Sequence, residues 1–399
     1  MTTPNMRDSF TSVSDNLGSD QLRRLYLDPA DAGVPWLLDP DNHFARRVLA
    51  GYEQRRPTDA CDPHALAADL DDALVLIKQR HIGIAEGEFG GAAMDTSLHS
   101  WAQDWKRRLT DDQPRTWGEA IGLDGYRLRR VLGDSHCNIR GEDPERLRLA
   151  DPRRHQTRID DHGPAAEIST VEDVLCVRVR RLTGSPDQVA ELQQWVDDHE
   201  RHFEHEKIIV DLRGNGGGSD NFVLSWIETH IPRDTVLADE AYTWMLGDHG
   251  LSEWNFGIQQ LAMYGTAFPF HPDPATRLSV YREAPHLRAG SNPWAGQMLV
   301  ITDHAVASAG ESCTVILRDV MGARVLGSPT AGLMLFGNIA PYVLPRSGLV
   351  LRLGTTRFGY PAVEFEGIPV DGSLPDPLLP LNRVAVDFDQ LWRRCTPSR

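Results

Sequence analysis

No lysine follows Lys207, so any catalytic base in the second half of the chain must be another residue type. No stretch approaches the eighteen or so apolar residues of a membrane-spanning helix. The N-terminal residues, from Met1 to Gln21, lack a basic start followed by an apolar run, so no signal peptide is expected. The cysteines Cys61, Cys137, Cys176, Cys313 and Cys395 are scattered, odd in number and without CxxC spacing. That pattern reads as reduced thiols in a cytoplasmic protein. Positive charge is in short supply: 41 Lys and Arg stand against 57 Asp and Glu, for a net charge of −16. Nucleic acid and anionic membrane surfaces select for basic patches, so neither is expected as a partner. The sequence also lacks internal repeats, low-complexity tracts and a Gly-x-Ser-x-Gly elbow, since the window there reads Val306-Ala307-Ser308-Ala309-Gly310.

What is present centres on Lys207–Gly218. Ile208, Ile209, Val210 and Leu212 read as a buried strand, a burst of glycine ends it, and the amphipathic segment 221–231 follows. A turn so rich in glycine lets backbone approach closely and leaves N–H groups free to point at something. It has neither the Lys nor the Ser/Thr of a phosphate-binding loop, so a nucleotide is not expected there.

Around this stretch the chain divides by pattern. Residues 1–63 are polar or proline-broken and read as an N-terminal extension. Over 64–139, Leu66, Leu70, Ala73, Leu74 and Ile77, then Leu98, Trp101, Trp105 and Leu109, recur at three- and four-residue steps. They predict a small helical bundle that ends at Asp134-Ser135-His136. Residues 140–173 are charged and read as a linker. From 174 to 385, strands at 174–179, 207–212, 297–302 and 323–327 alternate with helices at 186–202 and about 308–321, which implies an α/β core with a mainly parallel sheet. An aromatic-rich insertion at 232–295 reads equally as a substrate wall or as a satellite cluster or dimer contact. Pro345-Arg346-Ser347-Gly348 marks a hairpin, and 386–399 reads as a tail.

Ser308 sits where a strand and short loop run into a helix. Near a helix N-terminus it could lie beside free N–H groups that favour developing negative charge. With Glu311 three residues on, it also fits a capping box, and one serine can serve either purpose. His199, His202 and His205 lack the H-E-x-x-H spacing and read as a solvated helix face, with no metal site expected.

The motifs D-L-R-G-N-G-G-G at 211–218, A-S-A-G-E at 307–311, G-S-P-T-A-G at 327–332 and E-G-I-P-V-D-G at 366–372 stand in one order. Their order and separation resemble the tail-specific (C-terminal-processing) and tricorn-core serine peptidase family over 174–380. The helices before them and Gly133-Asp134-Ser135-His136 resemble its tricorn-like and retinoid-binding-protein-like branches; tail-specific members carry a PDZ domain between the helices and the core, for which residues 140–173 are too few. The resemblance implies a Clp-protease/crotonase-like spiral of ββα units preceded by the helical bundle. It implies Ser308 as nucleophile and an oxyanion hole from the backbone N–H groups of Gly216, Gly217 and Ala309. Where tail-specific enzymes carry a lysine base, this chain has Leu333, so the resemblance implies the tricorn-like set. In it His136 is the base, Ser135 supports it, and Glu364 orients it, with Glu366 as the fallback. His304 is a competing base whose ordinary reading is a loop residue.

The expectation is a hydrolase that opens peptide bonds through an acyl-enzyme, with no cofactor and no metal. A peptide, or a small amide or ester, would be the substrate, and a homo-oligomer is compatible with the sequence. Two other readings stay open on these residues. One is a dedicated hydrolase or acyl transferase on one small amide or ester. The other is a non-catalytic carrier of apolar ligands.

Overall fold

The computed structural model describes residues 58–395 apart from 86–90, 126, 141–162, 184–185, 237–241, 248–277, 284–285, 345, 348 and 359–363. The expected N-terminal extension to residue 57, most of the linker and the middle of the aromatic insertion lie outside the described residues. The chain divides into two units. One is drawn from Met1–Glu145, Tyr242–Arg282 and Phe336–Arg357, the other from Arg146–Ala241, Glu283–Leu335 and Phe358–Arg399.

In the first unit, the helix Pro63–Arg80 starts on Asp62, whose carboxylate accepts the His64 and Ala65 N–H groups at 2.9 and 3.1 Å. Proline at its first position costs nothing, since that N–H has no helical partner. Leu66, Leu70, Ala73 and Ile77 lie fully buried along one face. Burial of each leucine or isoleucine contributes about 1.5–3 kcal/mol. The helix Ala92–Asp112 answers with Leu98, Trp101, Trp105 and Leu109. Its two indoles donate to the carbonyls of Asp124 and Ala120, at 3.2 and 3.0 Å, so neither ring is buried with an unmet N–H. The shorter helices Trp117–Asp124 and Leu128–Leu132 follow.

The expected hairpin forms: Phe336–Val343 and Val350–Arg357 pair antiparallel, with Ala340 opposite Leu353. The sequence reading places it in the core over 174–385; by its contacts it groups with the first unit. Leu344, Leu349, Leu351 and Leu353 are buried in the same cluster as the bundle's Leu66, Trp101 and Trp105. Asp69, fully buried on the first helix, accepts the Arg346 and Ser347 N–H groups and the Ser347 hydroxyl. Apolar burial and one satisfied carboxylate thus draw the hairpin into the unit with the helices. The strand Asn138–Arg140, directly after His136, pairs with Val350–Arg352 of that hairpin.

The second unit is built on a five-stranded sheet in the order Arg324–Gly327, Gln297–Thr302, Lys207–Asp211, Val174–Val179, Ala166–Val171. The first four run parallel, as the βαβ alternation predicts, with Ile209 between Cys176 and Leu299. Both faces of the central strands are covered, so their residues are buried without alternation. The fifth strand corrects the sequence reading: Ala166–Val171 lies in the stretch assigned to the linker, yet pairs antiparallel with Val174–Val179. The tail is corrected too. The helix Phe388–Arg394 buries Phe388 and Leu391 against Val174, Ile209 and Leu299.

The histidines before the central strand also depart from the sequence reading. His199 and His202 are buried rather than solvated, and His230 is buried with them. The Trp226 indole donates to His202 Nδ1 at 3.2 Å, which fixes that nitrogen as an acceptor. His230 Nδ1 faces the Asn292 carbonyl at 3.0 Å and so carries a proton, leaving its Nε2 to accept from His199 Nδ1 at 3.1 Å. This pattern requires His202 and His230 to be neutral, and burial pushes both below the ordinary histidine value. A depressed folded-state pKa means the unfolded chain takes up protons first as pH falls. The contribution to stability is therefore complete above about pH 6.5 and drains away below it. Thermal melts should show a flat melting temperature from pH 7 to 8 and a decline below about pH 6.5, a slope that His202→Gln should reduce.

Candidate active site

The turn after the central strand is held by charge before glycine matters. Asp211 is fully buried, and Arg213 folds back onto it with Nε to Oδ1 at 2.8 Å and Nη2 to Oδ2 at 2.7 Å. The remaining guanidinium donor caps the Pro377 and Leu379 carbonyls at 2.9 and 3.0 Å. A bidentate, fully hydrogen-bonded pair is the form in which a buried ion pair is tolerated. Asn215, also fully buried, then ties the turn to its neighbours. Its Nδ2 donates to the Val179 carbonyl at 3.0 Å, and its own carbonyl accepts the Ala307 N–H at 2.9 Å.

That last bond brings the glycines against Ser308. A Cβ on Gly217 would stand 2.9 Å from the Ala307 carbonyl oxygen and from the Ser308 Cβ, and 3.1 Å from the Ala309 nitrogen. Gly217 also has φ of +108°, a conformation costly for other residues. The sequence reading joined these two stretches, and the structure brings them into contact. It also corrects one donor. The Gly217 N–H is given to Asn215 Oδ1 at 2.9 Å, because the asparagine side chain closes a turn on the residue two ahead. The N–H groups of Gly216 and Ala309 have no acceptor among the described residues. Gly217→Ala should lower kcat/KM by about 100-fold, because the added carbon displaces the Ser308 turn, and steady-state kinetics beside a thermal melt would check it.

Ser308 precedes the buried helix Ala309–Met321 and has φ of +54° and ψ of −124°. A non-glycine residue in this region carries on the order of 1–3 kcal/mol of strain, and such strain collects at functional sites. The surroundings over-determine it. Glu311, fully buried, accepts the Ser308 N–H at 3.0 Å. The same carboxylate accepts the Thr330 hydroxyl at 2.5 Å and the Gly332 and Leu333 N–H groups at 2.8 and 2.7 Å. Burial raises the Glu311 carboxyl, while these donors and the Ser308 N–H pull it down. The expected capping box is thus present, and its glutamate does more than cap. It fastens the Ser308 turn to the loop in which Leu333 stands. Sequence reasoning missed this; the available signal was the one charged residue in the first nine positions of the helix, Ala309–Leu317.

From that loop the ties continue to Glu364. The Phe365 N–H donates to the Gly332 carbonyl at 2.8 Å, and Glu364 Oε2 accepts the Leu335 N–H at 3.0 Å. Glu364 is partly buried, whereas Glu366 is exposed. His304 is partly buried in the loop before Ser308.

Ser308, Gly216, Gly217, Ala309, His304 and Glu364 all lie in the second unit; Ser135 and His136 lie in the first. The helix Leu128–Leu132 stops on Gly133 in the left-handed region, φ +62°, and the chain turns through Asp134, Ser135 and His136 into the strand Asn138–Arg140. Ser135 is buried and His136 partly so. In the same unit, His81, Asp134 and Cys137 present ligand-type atoms within 4.8 Å of one another. They could hold a metal ion, but hydrogen bonds among them already join the three groups.

The model of peptidase family S41 matches residues 173–373. No curated protein matches the sequence. Among solved structures, the chain is similar to a candidate peptidase from Parabacteroides merdae ATCC 43184, at 14% identity over 77% of this chain and 89% of that one, with a TM-score of 0.46. It is similar to a lipoprotein from Streptococcus agalactiae, at 14% identity over 82% and 95%, TM-score 0.44. The photosystem II D1 C-terminal processing protease aligns at 12% identity over 80% and 96%, TM-score 0.42. Likeness at that level says nothing about chemistry, and the assignment rests on the family match.

Proposed function

This chain belongs to peptidase family S41, and from that premise we propose that it opens peptide bonds through an acyl-enzyme formed on Ser308. It is a serine peptidase with peptides as substrates. The finer assignment is our own. Ser308 attacks the scissile carbonyl. The Gly216 and Ala309 N–H groups take the oxyanion, with Gly217 shaping the approach. His136 accepts the serine proton and returns it to the leaving amine, and water then releases the acyl group. Ser135 supports His136, and Glu364 steadies the imidazolium.

One observation carries the reading: the strained backbone of Ser308 at the start of a buried helix, with the Ala309 N–H beside it given to no acceptor among the described residues. A capping serine needs no such conformation, since a cap residue ordinarily has extended dihedrals. A serine that must project its hydroxyl beside unpaired N–H groups does. Leu333 supports a histidine base, because its side chain cannot accept a proton and no lysine follows Lys207. A fluorophosphonate probe tests the proposal directly: the adduct should map to the peptide that contains Ser308, and an adduct elsewhere, or none, would overturn it.

A further inference from the structure

Asp134, two residues before His136, is fully buried in the first unit and has not been given a role. Its Oδ2 faces His81 Nε2 at 3.0 Å and accepts the Cys137 thiol at 2.8 Å. Its Oδ1 accepts the His136 backbone N–H at 2.8 Å and lies 3.9 Å from His136 Nδ1. His81 is the residue on which the helix Pro63–Arg80 ends, its own N–H still bonded to the Ile77 carbonyl at 3.0 Å. The carboxylate is therefore anchored to a long, well-packed helix on one side and to the His136 turn on the other. Strands of the same unit close the remaining space. A Cβ on Gly354 would stand 2.8 Å from Asp134 Oδ2 and 3.1 Å from the Phe336 Cβ, and the Phe336 ring lies against His81 with centroids 5.3 Å apart.

We infer that Asp134 is a positioning residue for His136: pinned by His81 and Cys137, it fixes the His136 main chain and holds a negative charge beside the imidazole. The inference rests on the proposal that His136 is the catalytic base. The physical case has two parts. A histidine base must be aimed, and an acceptor on its own N–H, tied to a rigid helix, sets the direction of its side chain. The base also becomes an imidazolium as the serine attacks. A carboxylate at 3.9 Å that is shielded from water stabilises that cation. For this the carboxylate must be ionised. Burial alone would raise its pKa, but the His81 hydrogen bond and charge, with His136 and Cys137, hold it below the usual carboxylate range. Within the unit, the titratable groups that face Asp134 are His81, His136 and Cys137. A merely structural aspartate would explain the His81 and Cys137 contacts, but would predict no effect on the protonation of the base.

The test is the pH profile of kcat/KM in Asp134→Asn, which keeps the acceptor for the His136 N–H and removes the charge. The acid limb should move to lower pH by about one unit, and kcat on the plateau should fall about tenfold or more with KM within about twofold. An unmoved limb with an unchanged plateau overturns the inference. A second variant guards against failure to fold: Gly354→Ala keeps the charge but displaces the carboxylate, and should lower kcat about tenfold without moving KM. Wild-type kcat in that variant also overturns the inference. His136→Gln separates this result from the reading beneath it. If the acid limb persists in that variant, His136 is not the base; if the limb vanishes there yet stays fixed in Asp134→Asn, only the role of Asp134 falls.

Discussion

Ser308→Ala should abolish both peptide hydrolysis and labelling by a fluorophosphonate probe. The expected loss is about 10⁴-fold or more in kcat, since removal of the nucleophile leaves only what binding and the oxyanion donors can do for a water molecule. That corresponds to roughly 5 kcal/mol of transition-state stabilisation. The variant should fold as well as the parent. Alanine keeps the Ser308 N–H that Glu311 accepts at 3.0 Å, and the turn's dihedrals are imposed by that bond and by Gly217. A melting temperature close to that of the parent, beside lost turnover, is the expected pair of results. Turnover retained in Ser308→Ala would remove the nucleophile assignment and return the serine to the helix-capping role its sequence context also allows.

The second large effect is expected at His136. His136→Gln should cost about 10³–10⁴-fold in kcat/KM, because glutamine can hold a hydrogen bond but cannot take the proton from the serine. Labelling by a fluorophosphonate should slow by a similar factor, since the same deprotonation limits it. His304→Gln is the matched control and should stay within about twofold of the parent. The reverse pattern would move the base to His304. The two variants also separate a chemical effect from a folding one, since Asp134 Oδ1 accepts the backbone N–H of residue 136 whatever side chain stands there.

Much of this arrangement was legible before any coordinates. The parallel sheet could be read because strands buried on both faces, such as Lys207–Asp211 and Gln297–Thr302, are near-continuous apolar runs. The bundle could be read because Leu66, Leu70, Ala73 and Ile77 repeat at helical steps. Ser308 and the glycine turn were joined by the order of their motifs, and they lie so close that a Cβ added to Gly217 would stand 2.9 Å from the Ser308 Cβ.

The misses share a physical character. His199 and His202 carry polar atoms and were read as solvated; they are buried because Trp226 and the other histidines supply partners that lie distant in sequence. Ala166–Val171 looked like linker because an edge strand exposed on both faces needs few apolar residues. Glu311 was read as a local cap, whereas three of its four donors come from about twenty residues downstream. The Gly217 N–H was assigned to an oxyanion, but Asn215 Oδ1 has taken it.

Sequence alone therefore determined the composition of the machinery: a parallel core, a helical unit that ends in Asp134-Ser135-His136, a glycine turn, a serine before a helix and no lysine to serve them. Periodicity and motif order are properties of the chain, so they survive without coordinates. Only the tertiary structure decided where the polar groups spend their hydrogen bonds. It gave the Gly217 N–H to Asn215 and left that of Ala309 without an acceptor among the described residues. It bent Ser308 into a positive φ, drew the hairpin at 336–357 into the helical unit, and set Asp134 between His81 and His136. A buried donor or acceptor must be satisfied by whatever lies nearest in space, and nearness in space between residues 81 and 134, or 311 and 332, is written in no local stretch of the chain.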